Sequence, residues 1–173
     1  MLPMTYDRHV LSSPLLDYDD SAGRVMGVLR AIVERRVLPS LGGAQDVDAL
    51  QLARASERYS LARLEDVSGR LDLVSLVAAR EGGWTVHIHE RVFDYFAFGL
   101  PINPAHAFDA PNREARKALA LAEFVLRHEF DHIVRPHREE RDVLARDCAF
   151  VLRCRDTEPA LYEALMEGFT DST

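Results

Sequence analysis

The amino-acid sequence predicts an α+β fold, a small β-sheet or hairpin packed against several helices, and three observations carry that expectation. Residues 71–79 and 84–92 read as two strands around Gly82 and Gly83, the pattern of a β-hairpin. Residues 22–37, 113–134 and 158–169 repeat apolar positions at helical spacing. The apolar and charged fractions, 47% and 28%, are those of an ordinary globular chain.

With 173 residues the chain is expected to form one domain, 1–173, able to bury about two-thirds of its unfolded surface without disulfides or metal. A metal in such a domain would serve chemistry more than stability. No stretch reaches the roughly 20 apolar residues of a membrane span, and the first residues lack a basic region followed by an apolar run. A cytoplasmic protein with no membrane partner is the expectation. The net charge of −7 argues against sequence-independent binding of nucleic acid, which needs clustered Lys and Arg. Cys148 and Cys154 lie six apart in one expected helix, turned by about 600° onto different faces. They suit neither a bridge nor a shared metal and read as small buried hydrophobes.

Along the chain, residues 1–20 look irregular. Val25, Val28, Leu29, Ile32 and Val33 mark a helix over 22–37 that Pro39, Gly42 and Gly43 should close. A more polar helical stretch covers about 46–61. In the second strand of the hairpin, Trp84, Val86 and Ile88 share one face, and Thr85, His87 and His89 the other. That second face is either solvated or lines a cleft, where His87 and His89 could bind substrate. Phe93, Tyr95, Phe96 and Phe98 form an aromatic cluster, and residues 99–111 a long loop. Asn112 is placed to cap a helix over 113–134, which ends before Pro136. Another helix should start near His137, and the last covers 158–169.

The helix over 113–134 holds the chemistry. In His128-Glu129-Phe130-Asp131-His132 the histidines are i and i+4, so both imidazoles leave one face a turn apart, a spacing suited to one tetrahedral Zn²⁺. Glu129 can take the proton of a zinc-bound water. Leu121 and Val125 continue the histidine stripe, and Leu119, Ala122, Leu126, Phe130 and Ile133 anchor the helix beside it.

A third ligand is needed, since catalytic zinc takes three protein groups and one water. His137, Glu140, Asp142 and Asp147 are the candidates. If Arg135-Pro136 turns the chain into an antiparallel helix, a residue about four past the turn returns beside His132, which favours Glu140. Asp147 then reads as the carboxylate that orients a ligand histidine.

The HExxH string resembles zincin metallopeptidases, and residues 140–150 resemble the second helix of the ImmA/IrrE-type and related gluzincin families. There a Glu ligand opens the helix, although Glu140 and Asp147 are further apart than that pattern has them. Arg135-Pro136-His137 resembles the turn before the third histidine of WLM and SprT-like metallopeptidases, without its glycine. The motif is also similar to that of peptide deformylase, whose cysteine ligand lies upstream; here both cysteines lie downstream. The gluzincin resemblance covers about 71–152. It implies a zincin-like domain that hydrolyses a peptide or protein substrate, with an extended peptide held along an edge strand, expected here at 84–90. A non-catalytic regulatory or interaction protein that retains the zincin-like fold is the alternative.

Overall fold

A computed structural model describes residues 18–65, 74–101 and 103–171. Among these, the architecture is α+β, a small mixed sheet of three strands against helices. The expected irregular stretch 1–20 and the start of the expected strand 71–79 lie largely outside the described residues.

Helix α1 (Tyr18–Ile32) begins earlier than residue 22 and does not stop at Pro39. It runs through a π-helical turn (Val33–Val37) into α2 (Leu38–Gly42). The wider turn explains how: Leu38 N–H bonds back to the Val33 carbonyl, five residues away, and the proline ring that follows is spared the clash with the carbonyl four residues before it. Asp48 caps α3 (Ala49–Arg58), its Oδ1 accepting from Gln51 N–H at 2.9 Å.

The helix expected over 46–61 then gives way without a turn to strand β1 (Tyr59–Leu64). Strands β2 (Ser75–Arg80) and β3 (Gly83–His89) form the antiparallel hairpin, with Gly82 at φ +78°, where a residue without Cβ is favoured. Strand β1 pairs with β3 in parallel, so the order is β1-β3-β2. This overturns the expectation that 84–90 is an edge strand. Both backbone edges of β3 are occupied, and among the described residues the unpaired edge near the motif helix belongs to β2.

Helix α4 (Glu90–Gly99) is built from the aromatic cluster, and Phe93 and Phe96 are buried from it. The long loop contains a 3-10 turn (Pro104–His106). Asn112 Oδ1 then accepts from Ala115 N–H at 2.8 Å and caps α5 (Arg113–Val134), as its position predicts. Helices α6 (Glu140–Thr157) and α7 (Pro159–Asp171) complete the described fold. No described helix is long and apolar enough to cross a membrane.

Helix α5 lies between two apolar clusters. On one side Ala122, Leu126, Phe130 and Ile133 join the core formed with α1, the sheet and α4. Tyr59 of β1 meets Phe130 edge to face, ring centroids 5.0 Å apart. On the other side Ala120 and Phe124 pack with Phe150, Val151 and Cys154 of α6 and Leu165 of α7. Each large side chain so buried contributes about 1.5–3 kcal/mol. Cys154 is buried as expected, whereas Cys148 is exposed on the outer face of α6, opposite to its expected burial.

The parallel pairing of β1 and β3 brings the start of β3 against the end of α3, where a Cβ at Gly83 would run into the carbonyl oxygen of Arg58. Gly83→Ala is therefore expected to cost about 1–3 kcal/mol and to lower the thermal midpoint by roughly 3–10 °C. Gly43→Ala, whose Cβ would meet nothing closer than 3.9 Å, serves as control. Equal midpoints for the two variants would contradict this approach of α3 to β3.

Candidate metal centre

His128 and His132 project from α5 one turn apart, both half-buried, with Nε2 atoms 3.3 Å from each other. Helix α6 returns antiparallel to α5 after Pro136, as the contacts of Glu140 with His132 and of Asp147 with His128 require. Glu140, the first residue of α6, places Oε1 3.3 Å from His128 Nε2 and Oε2 3.0 Å from His132 Nε2. Among the described residues, these three are the group that could hold a metal ion.

The donor set fits zinc. In a tetrahedron with Zn–N near 2.0–2.1 Å, ligand atoms stand about 3.3 Å apart, and the three contacts span 3.0–3.3 Å. The tautomer also fits. Asp147 Oδ2 lies 2.6 Å from His128 Nδ1, so Nδ1–H donates to the carboxylate and the lone pair is left on Nε2, facing His132 and Glu140. Asp147 is buried; its hydrogen bond, the largest cause, pushes the His128 pKa above its usual value against the opposing effect of burial.

Glu129 lines the same cleft and is only 3% exposed. Burial raises its pKa; a hydrogen bond from Ser75 Oγ to Oε1 at 2.5 Å and the nearby histidines act the other way. The cleft encloses about 730 Å³ between β2 and the α5–α6 pair. Ser75, Val77 and Ala79 share the face of β2 that looks toward α5, in register with Ile88, Val86 and Trp84. Phe124, Val125 and Leu144 add apolar wall.

The remaining candidates fall elsewhere. His137 is exposed and lines a separate pocket with Asp46 and Arg138, and Asp142 does not join the ligand group. His87 pairs in register with Leu76 and Ala62, on the sheet face opposite the one that meets α5, so it does not line the cleft. His89 is buried on that same face and caps α4, its Nδ1 accepting from Arg91 N–H at 3.3 Å. Period-two alternation separated the faces correctly; which face meets the motif helix is decided by the Val86–Ile88 side, which is buried. Ser75 was not singled out by sequence, although it is a lone hydroxyl within an apolar strand.

Residues 135–141 are dense in charged side chains, and one of them, Arg135, is buried. Arg135 forks onto Asp46, with Nη2–Oδ1 at 2.7 Å and Nε–Oδ2 at 3.1 Å, and also pairs with Asp131. Arg146 of α6 reaches the same Asp46 at 3.0 Å.

Comparison of the chain with protein-family models, with curated proteins and with solved structures returns no match. Function has to be read from the side chains themselves.

Asp147→Asn removes the charge that orients His128, so zinc affinity, measured by competition with a chelator, should fall about 10- to 100-fold. The metal-free protein offers a second measurement. Because the folded-state pKa of His128 is raised, its pairing with Asp147 stabilises fully below the unfolded value of about 6.5 and is lost as pH rises through the folded value. The stability gap between wild type and Asp147→Asn should therefore be widest in mild acid and narrow as the pH rises. A gap that widens with pH would contradict the pairing.

Proposed function

We propose that this chain is a zinc-dependent metallopeptidase of zincin-like fold, related in design to gluzincins. The observation that carries the reading is the convergence of His128 Nε2, His132 Nε2 and the Glu140 carboxylate within 3.3 Å of one another, beside a buried Glu129 and in an open cleft. A metal pair alone would support only binding; the adjacent carboxylate supports hydrolysis.

A bound Zn²⁺ would supply Lewis-acid chemistry, lowering the pKa of a water to about 7 and polarising the scissile carbonyl. The chain's own groups do the rest. Asp147 holds the His128 ring in the ligating tautomer. Glu129 takes a proton from the attacking water and passes it to the leaving nitrogen, and its burial, which raises its affinity for a proton, suits it to both roles. An extended peptide adds to the edge of β2 that is unpaired among the described residues, main chain to main chain, with its side chains against the apolar walls formed by Val77, Trp84, Phe124 and Leu144. This moves the substrate strand from 84–90 to 75–80.

Purified protein should contain about one zinc per chain, and His128→Ala and Glu140→Ala should lose it. Glu129→Gln should keep the metal and lower kcat by about 10²–10⁴-fold. Metal analysis and peptide cleavage are measured on the same preparations. Absence of zinc removes the metal reading; zinc without hydrolysis of any peptide favours a regulatory protein on the same scaffold.

A further inference from the structure

Resting on the peptidase reading, we propose that Ser75 is a positioning residue for Glu129: its hydroxyl holds Oε1 and leaves Oε2 as the oxygen that receives the proton of the attacking water. Ser75 keeps its own proton throughout; the water proton goes to Glu129 Oε2 and from there to the leaving nitrogen.

Four features of the molecule support this. The Ser75 Oγ–Glu129 Oε1 distance is 2.5 Å across 54 residues of chain, joining the edge strand to the motif helix. A carboxylate only 3% exposed has little water to orient it, and among the described residues Ser75 donates the side-chain hydrogen bond that Glu129 accepts. Among the described residues, Ser75 carries the only hydroxyl on the walls of the cleft. Its own position is rigid: Ser75 is in register with Ile88, and the carbonyl of the preceding Val74 accepts from His89 N–H at 3.0 Å.

The placement has a functional corollary. Ser75 is the first residue of the strand that would receive the substrate, so a peptide seated on β2 orders the same backbone that holds the base. Occupancy of the edge and alignment of the carboxylate are thereby coupled.

The test uses the full chain and the variants Ser75→Ala, Ser75→Thr, Glu129→Ala and the Ser75→Ala/Glu129→Ala pair. In the metal-free protein, urea unfolding should give a double variant whose unfolding constant differs by at least about threefold from the product of the single effects, as for contacting residues. Agreement with that product overturns the proposal, whatever the activity. In the zinc-loaded protein, kinetics are run on the best-cleaved member of a proteome-derived peptide library. Ser75→Ala should lower kcat roughly tenfold, the worth of one hydrogen bond to a charged group, with KM within about twofold and zinc content unchanged, and Ser75→Thr should recover kcat to within about threefold. Wild-type kcat in Ser75→Ala, or a loss confined to KM or to zinc content, overturns the proposal and leaves the peptidase reading standing. A zinc-loaded wild type that cleaves nothing in the library removes the peptidase reading, and the proposal with it, even where the coupling is found.

Discussion

The buried guanidinium of Arg135 is the interaction on which the arrangement of the site depends. It stands where α5 ends, and it binds both oxygens of Asp46 in the segment between α2 and α3 while also meeting Asp131 one turn back on its own helix. Arg146, one and a half turns into α6, reaches the same Asp46. Two aspartates and two arginines thus join three separate segments, and each buried charge has an opposite partner, the condition under which burial of charge is tolerated. The planar fork matters: it engages two carboxylate oxygens at once, which an ammonium does not. With the end of α5 and the second turn of α6 tied to one carboxylate, the direction in which α6 leaves Pro136 is set. Glu140 and Asp147 then arrive on the histidine side of α5.

Within that frame the motif helix is held from two sides. Phe130, Leu126 and Ile133 are sunk into the main core, and Ala120 and Phe124 contact the smaller α6–α7 cluster. The strip of α5 between these two contacts is the one left facing the cleft, and it carries His128, Glu129 and His132. Half-burial of the histidines follows from their position between two packed faces. Glu129, turned further toward the sheet, is enclosed more completely and meets Ser75 there.

Features with a local cause were legible in the sequence. Asn112 capping α5, the hairpin turn at Gly82 and the i, i+4 histidines each depend on neighbours within a few residues, and each is found where its spacing puts it. What was not legible depended on distant partners. Strand β1 follows α3 with no glycine or proline to mark the change, and its identity as a strand comes from pairing with β3, 25 residues on in the Tyr59–Trp84 register. That same pairing makes β3 central and transfers the free edge to β2. The burial of Arg135 was not legible because Asp46, which pairs with it, is 89 positions away. The continuation of α1 past Pro39 required a π-helical turn that residue preferences do not signal.

The position of the carboxylate beside the two histidines follows from helix geometry more than from residue type. His137 precedes α6, within the turn, and is carried outward with it; Asp142 is two residues into the helix and about 200° around from Glu140. Glu140 opens α6, so its side chain leaves the helix at the end nearest His132, and it is long enough to span both Nε2 atoms. The first turn of a helix also carries a partial positive charge from unpaired N–H groups, which favours a carboxylate there. Asp147, two turns further along and buried, lies instead beside His128 Nδ1, on the other side of the ring from Glu140. One antiparallel helix thus delivers two carboxylates to opposite nitrogens of the same imidazole, Glu140 to Nε2 and Asp147 to Nδ1. A seven-residue spacing on a helix, close to two full turns, is what lets both face α5 at once.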